Sequence, residues 1–144
     1  MKRNTDSRDF GFTILDLRFA RCTYYRTMNI EQFRDYCLAK KASSEGFPFG
    51  PETLVLKVGG KIFAITGLDS EQFTVNLKCD PDWAVELREK YPEIQPGWHM
   101  NKQHWNTVDF EGSLDGRILR ELIDHSYDLV AKSLKKADRE ALGL

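Results

Sequence analysis

The chain has 144 residues, of which 41% are hydrophobic and 12% are aromatic, and its formal net charge is −1. This length is typical of one domain, and the hydrophobic content is enough for a buried core and excludes a disordered chain. No apolar run approaches the ~20 residues that a membrane-spanning helix requires, and the three cysteines, at positions 22, 37 and 79, form no CxxC pair. We therefore expect a reduced, cytoplasmic protein without disulfides or a membrane partner.

The first 27 residues differ from the rest in charge. They hold six basic and three acidic residues, so residues 28–144 carry the other 15 basic and 19 acidic side chains. Two interpretations of residues 1–27 stay open: a flexible N-terminal arm, or an upstream misreading of a protein that starts at Met28. Residues 28–144 are predicted to form one domain. Because phosphate neutralisation dominates affinity for nucleic acid, such binding by this mildly acidic domain requires a local basic patch.

The first predicted element is a helix from about residue 30 to residue 40. Asn29 and Gln32 have the spacing of a capping box at its start. The helical pattern then breaks at residues 43–46. The two prolines of Phe47-Pro48-Phe49-Gly50-Pro51 fix the backbone and donate no hydrogen bond, which predicts a rigid turn.

A β-hairpin is the clearest local signal. Two apolar runs, residues 53–58 and 61–66, flank Gly59-Gly60, and a two-residue glycine loop between such runs is typical of a primed turn. Residues 72–78 then alternate between apolar and polar side chains, which predicts a third strand with one buried face.

The second predicted helix begins after Asp80-Pro81, an N-cap followed by proline at the first helical position, and it ends before Pro92. Residues 94–100 are interrupted by proline and glycine and are interpreted as a short strand or a loop. Residues 105–110 alternate again, which predicts a further strand.

Ser113 is the predicted N-cap of a last, long helix, and the polar tail, residues 135–144, is expected to fray. Strands that are adjacent in sequence pair most simply as an antiparallel meander. The helices must then cover one face of the sheet, so the predicted fold class is α+β, a two-layer sandwich.

The opposite face of this sheet is expected to be open to solvent. The two-residue turn places Leu56 opposite Phe63 on the core side, together with Ile65. Period-two alternation then assigns ten side chains to the open face: Val55, Lys57, Ile62, Ala64, Thr74, Asn76, Lys78, Trp105, Thr107 and Asp109. A ring beside lysines can stack a base and contact phosphates, so a recognition platform is one interpretation; an ordinary solvated face with the Trp under a loop is the other.

The densest polar cluster is the segment from Gly97 to Trp105. Its two histidines, His99 and His104, lack the spacing and the neighbouring ligands of a metal site, and the sequence nominates no acid–base partner for either. The helix start after Cys79 could lower the pKa of that thiol, or Cys79 is a small, partly buried residue at a strand end. No catalytic, cofactor or metal site is predicted.

Several segments together resemble the MmcQ/YjbR family. They are Phe47-Pro48-Phe49-Gly50-Pro51, Lys57-Val58-Gly59-Gly60-Lys61-Ile62-Phe63-Ala64, Gly97-Trp98-His99-Met100-Asn101-Lys102-Gln103-His104-Trp105 and Ser126-Tyr127-Asp128-Leu129-Val130. The resemblance covers residues 28–142. It implies a CyaY- or frataxin-like fold, a helix-flanked antiparallel sheet, and a DNA-binding role with a double-wing motif and no catalytic residues. Frataxin's iron-binding role fits less well, since the first helix offers only Glu31 and Asp35 as carboxylates.

We therefore expect a non-enzymatic binding module, favoured as a monomer, with DNA as the partner that the resemblance implies. The alternative is a protein-interaction module that uses the Phe47-Pro48-Phe49 loop and the open sheet face, with no nucleic-acid role. The predicted contact residues are Lys57, Lys78, Lys102, His104 and Trp105.

Overall fold

The computed structural model describes residues 28–97 and 100–144, so residues 1–27, Trp98 and His99 lie outside the described residues. The described chain contains four helices and six strands. In chain order these are α1 (Ile30–Leu38), β1 (Ser43–Gly46), β2 (Thr53–Val58), β3 (Lys61–Gly67), β4 (Thr74–Lys78), α2 (Pro81–Lys90), β5 (Ile94–Pro96), β6 (Trp105–Asp109), α3 (Gly116–Lys132) and α4 (Lys136–Leu142).

The six strands form one sheet in the order β1-β2-β3-β4-β6-β5, and every neighbouring pair is antiparallel. The predicted α+β class is confirmed, with one departure from a simple meander: β6 lies between β4 and β5. Pro96 in β5 has no N–H to donate, which suits an edge position, whereas β6 buries Asn106 and Val108 inside the sheet.

The start of α1 is as predicted, and its end is two residues earlier. Asn29 Oδ1 accepts from the Gln32 backbone at 2.7 Å, and Gln32 Oε1 accepts from the Asn29 backbone at 3.0 Å, which confirms the capping box. The helix ends at Leu38 rather than at Lys40.

Residues 43–46, which were predicted only to end the helical pattern, form edge strand β1. Ser43 pairs with Val58 of β2, and Glu45 forms an ion pair with Arg34 of α1 at 2.5 Å. This strand was not predicted, because its four residues are small or polar and nothing in them alternates. It forms because β2 offers it an unpaired edge and α1 offers Glu45 a partner.

The β2–β3 hairpin has the predicted primed turn, since Gly59 and Gly60 have φ of 57° and 87°. Gly59 needs this freedom twice. Any other residue there would have a strained φ, and its Cβ would lie 2.7 Å from a methyl carbon of Leu134 and 3.0 Å from one of Leu142.

A β-bulge alters the register beyond this turn. Lys57 pairs with Ile62, but Leu56 pairs with Ala64, so Phe63 is an extra residue on β3. Phe63 and Ala64 are therefore both buried, and Ile65 lies on the open face opposite Val55. Val55, which was expected to be open to solvent, is itself buried.

The prediction was wrong at two positions of β3, because it assumed an unbroken register. Ala64 belongs to the core face and not to the open face, and Ile65 belongs to the open face and not to the core. One inserted residue reverses the face of every residue beyond it. Residues 62–65 are all apolar, so their sequence does not reveal which of them is inserted.

Helix α3 closes the bulge with a side chain. The β3–β4 pairing ends where Ala64 meets Leu77. At the next position Ser126, which is fully buried, donates its hydroxyl to the Phe63 carbonyl at 2.5 Å and accepts from the Lys78 N–H at 2.9 Å. The Phe63 carbonyl and the Lys78 N–H thus both have their hydrogen-bond partner on helix α3.

The N-cap of α3 is Asp115 and not Ser113. Asp115 Oδ1 accepts from the Arg117 backbone at 3.0 Å. Ser113 instead donates both its N–H and its hydroxyl to the Glu93 carboxylate. These bonds connect the loop before α3 to the residue that precedes β5.

The tail that was expected to fray forms helix α4, Lys136–Leu142. Leu134 is buried in the segment before this helix, and Leu142 at its end lies against Gly59. Lys61 also donates to the Ser133 carbonyl at 3.3 Å. These contacts hold the C-terminal segment against the hairpin turn.

The core lies between the helices and one face of the sheet. Phe33 of α1 packs edge-on against Phe73 and Phe110, with ring centroids 5.8 and 5.6 Å away. On the helical layer, Tyr36 donates to the Asp124 carboxylate of α3 at 2.7 Å, and Lys40 pairs with the same carboxylate. The other face of the sheet has no helix over it in the described chain.

Replacing Ser126 by Ala should destabilise the domain strongly, because it leaves the Phe63 carbonyl and the Lys78 N–H without partners. Each unsatisfied buried group costs about 1–3 kcal/mol, so we expect the free energy of unfolding in urea to fall by about 2–4 kcal/mol. Ser133→Ala is the matched control, because the exposed Ser133 hydroxyl bonds only to the Val130 carbonyl; its effect should stay below about 0.5 kcal/mol. Equal effects of the two substitutions would contradict this account.

Candidate nucleic-acid interface

The strand register brings three of the five predicted contact residues to one end of the open face. Lys78 of β4 pairs directly with Trp105 of β6, and Lys57 of β2 pairs with Ile62 of β3 beside the hairpin turn. Neighbouring strands lie about 4.8 Å apart, so β2 and β4, which flank β3, are about 10 Å apart. Lys57 and Lys78 therefore lie on either side of β3, and the Trp105 indole lies next to Lys78.

All five predicted contact residues are accessible to some degree. Lys102 is exposed, and Lys57, Lys78, His104 and Trp105 are partly buried. Within the described chain, none of the three lysine ammonium groups has a hydrogen bond or an ion pair. Such groups can neutralise phosphates without first breaking an internal contact.

A compact turn holds the two remaining predicted residues beside β6. The Asn101 carbonyl accepts from the N–H groups of His104 and Trp105 at 3.2 and 3.0 Å, and Asn101 Oδ1 accepts from the Gln103 N–H at 2.9 Å. The His104 carbonyl then accepts from the Cys79 N–H at 2.7 Å. Lys102 and His104 therefore lie at the same end of the sheet as the Lys78–Trp105 pair.

Arg88 of α2 positions this turn, a role that was not predicted from the sequence. Its Nε donates to the buried Asn106 side chain at 2.7 Å, and its Nη2 donates to the carbonyls of Trp105, at 3.2 Å, and Lys102. The signal in the sequence was its spacing, since Arg88 follows the buried Ala84 by four residues and so lies on the same helix face.

Charge is separated between the two ends of the sheet. At the end away from the hairpin turn, the connections are residues 47–52, 68–73, 91–93 and 110–115. These connections and Asp109, the last residue of β6, contain acidic residues and no Lys or Arg. The acidic residues are Glu52, Asp69, Glu71, Glu93, Asp109, Glu111 and Asp115.

Basic residues concentrate at the end that contains the hairpin turn. This end is formed by the turn itself, the connections after α1 and before β6, and the C-terminal segment that packs on Gly59. With the adjoining ends of β2, β4 and α3, the basic residues here are Lys40, Lys41, Lys57, Lys61, Lys78, Lys102, Lys132, Lys135, Lys136 and Arg139, against the acidic residues Asp80, Asp138 and Glu140. The net charge of the domain does not reveal this separation, which was not predicted from the sequence.

The described residues offer little for covalent or metal chemistry. Burial is the main cause that raises the pKa of both the Cys37 and the Cys79 thiol to about 12, so Cys79 is not an activated nucleophile. Burial also lowers the pKa of His125, whose Nε2 accepts from the Asp80 N–H at 3.1 Å. Residues 28–97 and 100–144 contain no group of three His, Cys, Asp or Glu side chains that could hold a metal ion, and no helix able to cross a membrane.

Comparison with known proteins identifies the family. The family model described as YjbR matches residues 38–129. The chain belongs to the YjbR family. It is 42% identical over 94 residues to YbdF of Escherichia coli O157:H7, covering 65% of this chain and 77% of that protein. It is 30% identical over 115 residues to YjbR of Escherichia coli (strain K12), covering 80% of this chain and 98% of that protein.

Solved structures of similar proteins share the fold. The crystal structure of Deinococcus radiodurans protein DR2400, of family DUF419, superposes with a TM-score of 0.78 at 39% identity and covers 83% of this chain and 91% of that one. A Pseudomonas syringae protein superposes with a TM-score of 0.62 at 31% identity and covers 72% of this chain and 99% of that one. The resemblance seen in the sequence is confirmed at the level of family and fold.

Substituting Arg88 by Leu should release the turn at residues 100–104. The buried Asn106 oxygen would lose its donor, so we expect the free energy of unfolding to fall by about 1–3 kcal/mol and the amides of residues 101–105 to exchange faster with solvent. Arg117→Leu makes the same change at an exposed position whose side chain has no hydrogen bond within the described chain, and it should cost less than about 0.5 kcal/mol. Unchanged amide exchange in Arg88→Leu would refute this positioning role.

Proposed function

We propose that this YjbR-family protein is a non-enzymatic DNA-binding module, and that DNA contacts the basic end of its open sheet face. Lys57, Lys78 and Lys102 contact phosphates, His104 donates or accepts a hydrogen bond at the same place, and Trp105 stacks on a base. The observation that carries this proposal is the direct pairing of Lys78 with Trp105 on the face of the sheet that no helix of the described chain covers.

The charge separation supports the same orientation. Phosphates are attracted to clusters of Lys and Arg, and affinity of this kind is independent of the protein's total charge if the cluster is local. The acidic connections at the opposite end of the sheet repel a phosphate backbone. A bound DNA strand is therefore directed to the end of the sheet that carries the lysines and Trp105.

Cys37 and Cys79 support two further parts of the proposal: the absence of an enzymatic role and the cellular compartment. The thiols of Cys37 and Cys79 are buried and have raised pKa values, which removes the most nucleophilic candidates in the described chain. Free thiols are also typical of a reducing compartment, so we propose that the protein acts in the cytoplasm. We propose a monomer as the binding unit, because the platform is formed by strands of one chain.

A second candidate is a protein-interaction module. Phe47 and Phe49 are 49% and 65% exposed in the turn after β1, and Leu68, which is 45% exposed, donates its N–H to the Glu52 carbonyl beside that turn. Exposed apolar side chains that cluster in this way are typical of partner binding. Salt distinguishes the two candidates, since apolar binding survives moderate salt and phosphate contacts weaken steeply.

The DNA-binding proposal predicts how affinity for a single-stranded oligonucleotide depends on salt. Replacing both Lys57 and Lys78 by Ala should weaken binding and should reduce the slope of log affinity against log salt by about 1–2, because two phosphate contacts are lost. Fluorescence anisotropy at 50 and 200 mM salt measures both quantities. Lys90→Ala, at the end of α2, removes one lysine charge away from the open face and should leave the slope unaltered.

Trp105→Ala tests the stacking contact in the same assay. It should weaken binding by about 1–3 kcal/mol without changing the salt slope, since stacking does not release counterions. Absence of affinity for any oligonucleotide at low salt would end the DNA-binding proposal. Unfolding of the Trp105→Ala protein would assign Trp105 to the core and remove it from the site.

A further inference from the structure

A polar groove of about 530 Å³ lies on the open face, between the acidic end of the sheet and the Lys78–Trp105 pair. Its walls include Thr74 and Asn76 of β4, Gln95 of β5, and Thr107 and Asp109 of β6. The register explains why these side chains meet, since Asn76, Thr107 and Gln95 form one row across three strands, and Asp109 pairs with Thr74 in the next row. A volume of this size is in the usual range for sites that hold small organic groups.

The groove adjoins the proposed DNA contacts along the same two strands. Asn76 is two residues from Lys78 on β4, and Thr107 is two residues from Trp105 on β6. Residues two apart share a face of the sheet and lie about 7 Å apart. A nucleotide whose phosphate binds Lys78 and whose neighbour stacks on Trp105 can therefore direct its base into the groove.

The charge of the groove excludes phosphate. Asp109 and Glu93 line it, and none of its lining residues is Lys or Arg. A carboxylate repels a phosphate group but accepts hydrogen bonds from a neutral amino group. The part of a nucleic acid that this groove suits is therefore the base and not the backbone.

The hydrogen bonds already made in the groove leave a defined set of donors and acceptors. The Thr107 hydroxyl donates to Asn76 Oδ1 at 2.5 Å, which leaves the Asn76 amide nitrogen as a donor. Gln95 donates its amide to the Pro92 carbonyl at 2.9 Å, which leaves its oxygen as an acceptor. Asp109 Oδ1 accepts from the Glu111 N–H at 2.9 Å, and Oδ2 makes no hydrogen bond within the described chain.

We infer that this groove binds the Watson–Crick edge of an unpaired base, so that the protein's DNA ligand is single-stranded and preferred when its bases carry an exocyclic amino group. The inference rests on the proposed function. Asp109 and Gln95 accept from the amino group, and the Asn76 amide donates to a neighbouring ring nitrogen or carbonyl. Cytosine offers this combination, and thymine lacks the amino group. In a duplex these edges are already paired and cannot enter the groove.

The test compares oligo-dC with oligo-dT of equal length, and each with its duplex, at constant salt. The wild-type protein should bind oligo-dC at least about fivefold more tightly than oligo-dT, which is the low end of discrimination by paired base contacts. It should bind both duplexes more weakly than the single strands. Asp109→Asn keeps the acceptor for the Glu111 N–H but replaces the free carboxylate oxygen by a donor, so the oligo-dC to oligo-dT ratio should fall towards one. Asn76→Ala should lower the same ratio.

Glu52→Gln is the control for charge, because it removes one exposed carboxylate from the same end of the sheet without touching the groove; the ratio should persist in this variant. Equal wild-type affinities for the two oligonucleotides, or a ratio that survives both groove substitutions in folded protein, overturns this inference and leaves the DNA-binding proposal standing. Failure of every oligonucleotide to bind at low salt overturns both.

Discussion

The hydroxyl of Ser126 joins the helical layer to the sheet at the point where the sheet's hydrogen bonding is interrupted. It bonds to the Phe63 carbonyl on β3 and to the Lys78 N–H on β4. The bulge at Phe63 turns two successive side chains of β3 into the core, and the helix supplies the bonds that the strands no longer exchange. Lys78 thereby keeps its backbone in the sheet while its side chain points to the open face, opposite Trp105.

Two contacts then determine which side chains lie at each end of the open face. The Arg88 guanidinium fixes the turn that precedes β6 from the core side, and the glycine turn of the β2–β3 hairpin accepts the C-terminal helix. Both place lysines at one end of the sheet, while the connections at the other end are acidic. The platform is therefore asymmetric: a basic end with an indole, and a polar groove beside it that suits neutral hydrogen-bonding groups.

Local chemistry was sufficient to predict much of the fold. The capping box of α1, the two-glycine hairpin and the Asp-Pro start of α2 each depend on residues within a few positions of one another, and all three are confirmed. The bulge could not be predicted, because it depends on a hydroxyl 63 residues away from Phe63. The same holds for the site: period-two alternation placed Lys57, Lys78 and Trp105 on one face, but the charge separation depends on which connections share an end of the sheet, and Arg88 acts on a turn 14 residues later.

The most direct measurement of the central claim is an NMR titration of the labelled protein with a single-stranded DNA oligonucleotide, because it locates the contact surface without altering the protein. The account predicts that amide shifts change along the open face, at Lys57, Asn76, Lys78, Thr107 and Trp105, and that amides on the outer surfaces of α1 and α3 stay unaltered. Shifts confined to those helices or to the Phe47–Phe49 turn, with none on β4 and β6, would contradict it.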